Sequence, residues 1–175
     1  MAVQISVEEF LERQRIPFTT FTHRPAFTAQ EEAAVSHVPG WNWAKTVVCM
    51  ADGQPILAVL PAPCMIDFEQ LRQLAGAERV RLATEDEMWR LYPDCEVGTM
   101  PPVGPLYNQS VFVDQSLVGD PDLVFNAGSH TKAIRMHYND FAEVARPIVG
   151  SFGRLPKPGP RRPRAETKLP TTPLF

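Results

Sequence analysis

Apolar and polar positions along the chain fall into short runs whose period switches repeatedly between that of a helix and that of a strand. Val7, Phe10 and Leu11 form an apolar stripe behind Ser6-Val7-Glu8-Glu9, which predicts a capping box and a short helix ending before Pro17. Phe18 to Phe21 reads as a strand. Thr28-Ala29-Gln30-Glu31 predicts a second capped helix, Ala29 to His37, broken by Pro39-Gly40. Two β-rich runs, Ala44 to Ala51 and Pro55 to Leu60, flank Asp52-Gly53, the strongest hairpin signal in the chain.

Asp67 is placed to cap a helix through Leu74, with Gly76 as its stop. Arg79 to Ala83 reads as a strand, and Thr84-Glu85-Asp86-Glu87 opens a helix ending before Pro93. Pro93 to Pro105 holds four prolines and two glycines, which predicts a shaped loop and excludes a helix. Ser110 to Asp114, Leu123 to Asn126 and Ala133 to His137 read as strands, and Asn139 as the cap of a last helix, Asp140 to Ala145. From Gly150 the chain offers six prolines and little to bury, which predicts a flexible tail over 150–175. The sum is one α+β domain over 1–149 with an antiparallel or mixed sheet. The order does not repeat βα units, which disfavours a doubly wound parallel sheet.

Composition adds limits. At 175 residues, 44% hydrophobic and 21% charged, the chain is long enough to bury a core without disulfide or metal staples. Its apolar runs fall short of the ~20 residues a membrane span requires, and the N-terminus lacks a signal-peptide pattern, so a cytoplasmic protein without membrane contact is expected. Cys49, Cys64 and Cys95 are scattered, and the four histidines lack zinc-ligand spacing, so no metal and no cofactor are expected. The net charge of −3 divides unevenly: residues 151–175 carry six basic residues against Glu166, while the remainder carries 11 basic and 19 acidic residues. An RNA contact on this acidic body must therefore be local, or helped by the tail.

Three segments could carry chemistry. Lys45, the only lysine among the first 131 residues, opens an apolar strand. It is either a strand-edge lysine with its head in water or a cation placed for a phosphate or a carbonyl oxygen. Gly98-Thr99-Met100-Pro101-Pro102-Val103-Gly104 is either a connector or a rigid loop presenting backbone amides. Asn126-Ala127-Gly128-Ser129-His130-Thr131 reads as a turn whose Gly128 admits close approach and whose His130 could orient a substrate group.

In this order and at these separations, the strand lysine, the Gly-x-x-x-Pro loop continuing to a glycine, and the Gly-rich turn resemble the YbaK / prolyl-tRNA synthetase-associated domain family. The opening Phe-Thr-Thr-Phe-Thr-His and Thr-Ala-Gln-Glu-Glu-Ala segments resemble that family too, and the likeness spans about residues 5 to 148. The resemblance implies a compact α+β fold on a curved, partly closed sheet flanked by short helices. It implies trans-editing deacylation of mischarged aminoacyl-tRNA, most readily alanine or cysteine on tRNA-Pro, without a covalent nucleophile. It implies that Lys45 and Gly98 are the catalytic residues, Lys45 engaging the terminal adenosine or its phosphate and Gly98 with its neighbouring amides binding the aminoacyl group. It implies that Pro102, Gly104, Asn126, Gly128, Ser129 and His130 shape the binding site. The partners implied are the 3′ acceptor end of aminoacyl-tRNA and a synthetase. A non-catalytic domain that binds tRNA ends or a synthetase is the alternative.

Overall fold

A computed structural model describes residues 5–156. Five short helices and ten strands follow in a mixed order. They begin with α1 (Val7–Arg13), β1 (Thr19–Thr22), α2 (Ala29–Val35) and the hairpin β2 (Ala44–Ala51) and β3 (Gln54–Pro61). Next come β4 (Met65–Ile66), α3 (Phe68–Ala75), β5 (Val80–Leu82), α4 (Glu85–Leu91) and β6 (Ser110–Asp114). The described chain closes with β7 (Leu123–Ser129), β8 (Lys132–Met136), α5 (Tyr138–Ala145), β9 (Ile148–Gly150) and β10 (Gly153–Arg154).

The strands form a five-stranded sheet, β5-β2-β3-β6-β9, a three-stranded sheet, β1-β8-β7, and the short pair β10-β4. Pairing is antiparallel except for β3-β6 and β6-β9, so the main sheet is mixed. A parallel bridge between Trp43 and Val124 joins the two larger sheets. Among the described residues no pairing closes this order into a ring, so the sheets meet along one seam. Asp52, at φ 49, and Gly53, at φ 79, make the hairpin turn between β2 and β3. The Asp52 carboxylate accepts the amides of Glu78 and Arg79, which ties the turn to β5.

Period-two alternation assigns the faces. Ala44 and Val48 face the main core with Leu57, Val59, Val113, Phe125 and Phe141. Cys49 and Ala51 turn to the other face, where α3 packs with Leu71, Cys64 and Phe152. Trp43, Val124 and Ala133 lie beneath α2 in a third cluster.

Local differences from the sequence expectations have physical causes. The capping box closes reciprocally at Thr84 and Glu87. At Ser6 the hydroxyl accepts from Glu9, but the Glu9 carboxylate pairs with Arg13 at 2.6 Å. At Thr28 the Glu31 carboxylate reaches past the cap to the Phe27 amide. The last helix is capped at His137, without a side-chain bond, and starts at Tyr138, two residues before the expected Asp140. Tyr138 is buried and pulls that turn into the core. Gly150 to Arg154, assigned above to the tail, belong to the fold. Phe152 is buried, its amide and that of Gly153 donate to Asp114 at 3.0 and 2.7 Å, and β10 pairs with β4. The remaining tail, 157–175, lies outside the described residues.

Candidate functional site

The parallel bridge at Trp43 and Val124 aligns the next in-phase positions, Lys45 on β2 and Asn126 on β7, on the α2 side of the sheet. Beyond the bridge β7 leaves β2, and β5 joins β2 only from Cys49. The edge of β2 at Lys45 to Val47 therefore has no strand beside it. Lys45 is half-buried in this splay, and no carboxylate of the described residues pairs with it. Burial lowers its pKa, and the nearby Cys64 thiol opposes that shift. An ammonium kept partly dry without a counter-ion is poised for an anionic or carbonyl oxygen ligand.

Asn126 is 8% exposed and Glu32, on α2, 2% exposed. Asn126 Nδ2 donates to Glu32 Oε2 at 2.7 Å, which leaves Asn126 Oδ1 buried without a partner. The other Glu32 oxygen lies 3.0 Å from His130 Nδ1. His130 Nε2 donates to the Val97 carbonyl at 3.1 Å, and the His130 amide donates to Glu96 Oε2 at 2.6 Å. A carbonyl can only accept, so Nε2 carries a hydrogen toward Val97, while Nδ1 faces the Glu32 carboxyl. With both ring nitrogens engaged, His130 is a fixed wall and a scaffold, with no nitrogen open for general base work.

The proline loop is tied to the Gly-rich turn by reciprocal backbone bonds: the Glu96 amide donates to Gly128 O and the Gly128 amide to Thr99 O, both at 3.0 Å. Thr99 to Gly104 are buried, so Pro102 fixes the loop from inside. Gly98 is exposed at φ 86, and a Cβ built on it meets nothing within 4 Å. Among the described residues the amides of Gly98 and Met100 donate to no acceptor. Gly98 thus stands open to the outside with its amide unused, whereas the unused Met100 amide belongs to a buried residue.

Two glycines have different places. Gly104 is buried, and a Cβ there meets Gln109 O at 2.2 Å and Val111 Cγ2 at 2.4 Å, so it serves close packing of the loop on β6. Gly128 stands at φ 93, and a Cβ there would meet Cys95 Sγ at 3.6 Å and Asp94 O at 4.0 Å. Ser129 Oγ lies 3.3 Å from Thr131 Oγ1 in the turn itself. The structure thus gathers Asn126 and His130 around Glu32 and holds the proline loop to them through the Val97 carbonyl, one residue before Gly98. Lys45 stands near Cys64 on β2, the strand that the Trp43–Val124 bridge joins to β7.

Sequence reasoning missed Glu32, Glu96 and Phe27. The signal for Glu32 was a charge beside Ala29 and Ala33, on the apolar side of α2, masked by its neighbour Glu31 in the capping box. A cleft of about 320 Å³ lined by Ser6, Glu8, Asp94, Cys95, Tyr107 and Gly128 lies on the α1 side of the turn, without Lys45 or His130. Burial pushes the Cys49 thiol up to about 12 and raises Cys64 and Cys95 as well, so none is a ready nucleophile. Among the described residues no three His, Cys, Asp or Glu side chains are placed to hold a metal, and no helix is long and apolar enough to cross a membrane.

The α+β fold thus carries a half-buried lysine, an open loop glycine and a hydrogen-bonded Glu–His–Asn cluster. The chain belongs to the aminoacyl-tRNA editing domain family, whose model matches residues 23–144. It is 27% identical over 155 residues, covering 82% of this chain and 89% of the relative, to the multifunctional Ser/Thr-tRNA deacylase ProXp-y of Escherichia coli K12. It is 30% identical over 110 residues, 63% of this chain, to the proline–tRNA ligase of Nitratidesulfovibrio vulgaris Hildenborough, and spans only 19% of that enzyme's length. The fold is similar to that of hypothetical protein APE2540, with TM-score 0.76 and 24% identity over 85% of this chain and 99% of the other. It is also similar to that of a candidate trans-editing enzyme for prolyl tRNA synthetase, with TM-score 0.71 and 21% identity over 85% and 94%.

Proposed function

We propose that this chain is a trans-editing deacylase that hydrolyses a small amino acid from mischarged tRNA. The observation that carries the reading is the half-buried Lys45, without a counter-ion among the described residues, on the strand bridged to β7. That strand carries the Asn126 end of the Glu32-His130-Asn126 cluster, and the open Gly98 is next to the Val97 carbonyl that His130 holds. An aminoacyl ester is already activated, so the site must hold it, stabilise charge on the carbonyl oxygen and admit water. Lys45 and the Gly98 amide are the donors for that oxygen. Water adds to the carbonyl carbon, the bond to the ribose oxygen breaks, and the proton from water returns to the 3′ oxygen. The products are the free amino acid and intact tRNA. Raised thiol pKa values and an occupied His130 ring fit a route without a covalent nucleophile. As the resemblance to the YbaK family implies, the substrate's own ribose hydroxyl helps activate the water.

Alanine and cysteine on tRNA-Pro are the first substrates to try, and the name of the Escherichia coli relative adds serine and threonine. Pocket walls distinguish such residues by ~1–3 kcal/mol per methyl-sized difference. The test is deacylation of this panel by the wild type and Lys45→Ala. Turnover of one species that is lost in a folded variant supports the reading, and turnover equal in both removes Lys45 from the chemistry. Binding of tRNA without turnover of any species favours the non-catalytic module.

A further inference from the structure

Among the described residues, the large apolar side chain most open to water is Phe27, at 75% exposed, and it stands at the site. Its ring centroid lies 5.1 Å from that of His130, with the planes inclined by 57°. His130 beneath it is locked by Glu32, Val97 and Glu96. The loop that carries Phe27 is held on both sides. The His23 amide donates to Thr131 O at 2.9 Å, Ala26 is buried, and Thr28 caps α2. A phenyl ring left in water forgoes the stabilisation of burial, and a rigid ring forgoes it permanently. Three residues earlier Arg24 is exposed, and no carboxylate of the described residues pairs with it.

We infer that Phe27 is a stacking shelf for the purine base of the 3′-terminal adenosine, with Arg24 placed for the backbone phosphate that precedes it. The inference rests on the deacylase reading. The ester of an aminoacyl-tRNA sits on the terminal ribose, so its base lies one sugar away from the reacting carbonyl. Of the aromatic rings around Lys45 and His130, Trp43 is buried under α2 and Phe27 is turned outward. Single-stranded RNA ends are bound by stacking on aromatic rings and by cations on the backbone, which needs little surface charge. That suits a body with 19 acidic and 11 basic residues over 1–150.

The test uses the full chain and two uncharged RNA hairpins with tRNA acceptor stems, one ending in CCA and one in CC, with binding followed by fluorescence anisotropy. The wild type should bind the CCA hairpin more tightly, and Phe27→Ala should erase that preference. Loss of one base–aromatic stack lowers affinity by roughly five- to a hundredfold. Phe27→Trp should keep the preference, and thermal unfolding of Phe27→Ala should match the wild type because the ring is exposed. On mischarged tRNA the same alanine variant should raise KM with kcat nearly unchanged. Equal binding of both hairpins by the wild type, or a preference that survives in Phe27→Ala, overturns the shelf. So does a Phe27→Ala variant that binds RNA normally but no longer binds prolyl-tRNA synthetase, which would make the ring a protein contact. A wild type that prefers CCA yet hydrolyses no aminoacyl-tRNA upholds the shelf while the deacylase reading fails.

Discussion

Glu32 Oε1 lies 3.0 Å from His130 Nδ1, across 98 residues of chain, and the same carboxyl group holds the Asn126 side chain at 2.7 Å. One buried side chain on α2 therefore fixes two positions of the Gly-rich turn at once. Glu32→Ala leaves His130 and Asn126 with unpaired polar atoms in a dry setting, so unfolding in urea should show a loss of about 3 kcal/mol or more. Glu32→Gln can still accept from Asn126 and donate to a neutral His130, so it should recover much of the stability. If Glu32→Ala is as stable as the wild type, the cluster does not hold the turn.

Lys45 separates stability from activity. Burial lowers its pKa, so folding disfavours the charged form. Below that depressed value both states are protonated and the whole cost is present. Stability then rises with pH between the depressed value and the ordinary lysine range, where the unfolded chain binds the extra proton. Lys45→Met should accordingly raise the urea midpoint at pH 7, with a gain that vanishes above the ordinary lysine range. Deacylation should fall about a hundredfold or more, as for loss of an oxyanion donor. A destabilised Lys45→Met would mean that the ammonium has a partner in the folded state.

The two loop glycines should fail differently. Gly98→Ala adds a methyl to open space at a left-handed φ, which costs roughly 1–2 kcal/mol, and it narrows the approach to the free amide. It should fold and lose turnover. Gly104→Ala meets the Gln109 carbonyl and Val111, so it should lose several kcal/mol and express poorly. Far-UV circular dichroism with thermal melts separates the two outcomes.

Asp114 anchors the end of the described chain. Its burial raises the carboxyl pKa, but hydrogen bonds from Ser116, Gly153 and Phe152 outweigh that and hold it below the usual aspartate value. The stability it contributes is present above the ordinary aspartate range and is lost as pH falls through the depressed value. Asp114→Ala should cost about 2–4 kcal/mol and release the Phe152 segment to proteolysis. Protection unchanged from the wild type would show that the segment is held by Phe152 packing alone.

Much of this fold was legible in the sequence because its signals are local. The Asp52-Gly53 hairpin, the Asp67 cap with its Gly76 stop, and the Thr84-Glu87 box each depend on residues within one turn. The strand lysine and the proline loop were legible by order and spacing. Illegible were relationships set by distant partners. Glu32 carried no local signal of its partners, which lie 94 and 98 residues away. Phe152 looked like tail because its anchor, Asp114, lies in another strand. Gly104 looked like a ligand contact because a glycine kept for packing and one kept for an open surface are the same letter.

Deacylation of alanyl-, cysteinyl-, seryl- and threonyl-tRNA by the wild type and Lys45→Ala, each shown to be folded, tests the central claim most directly. Rapid release of one amino acid by the wild type, reduced about a hundredfold or more in the variant, is the result expected. Equal release by both proteins would contradict it.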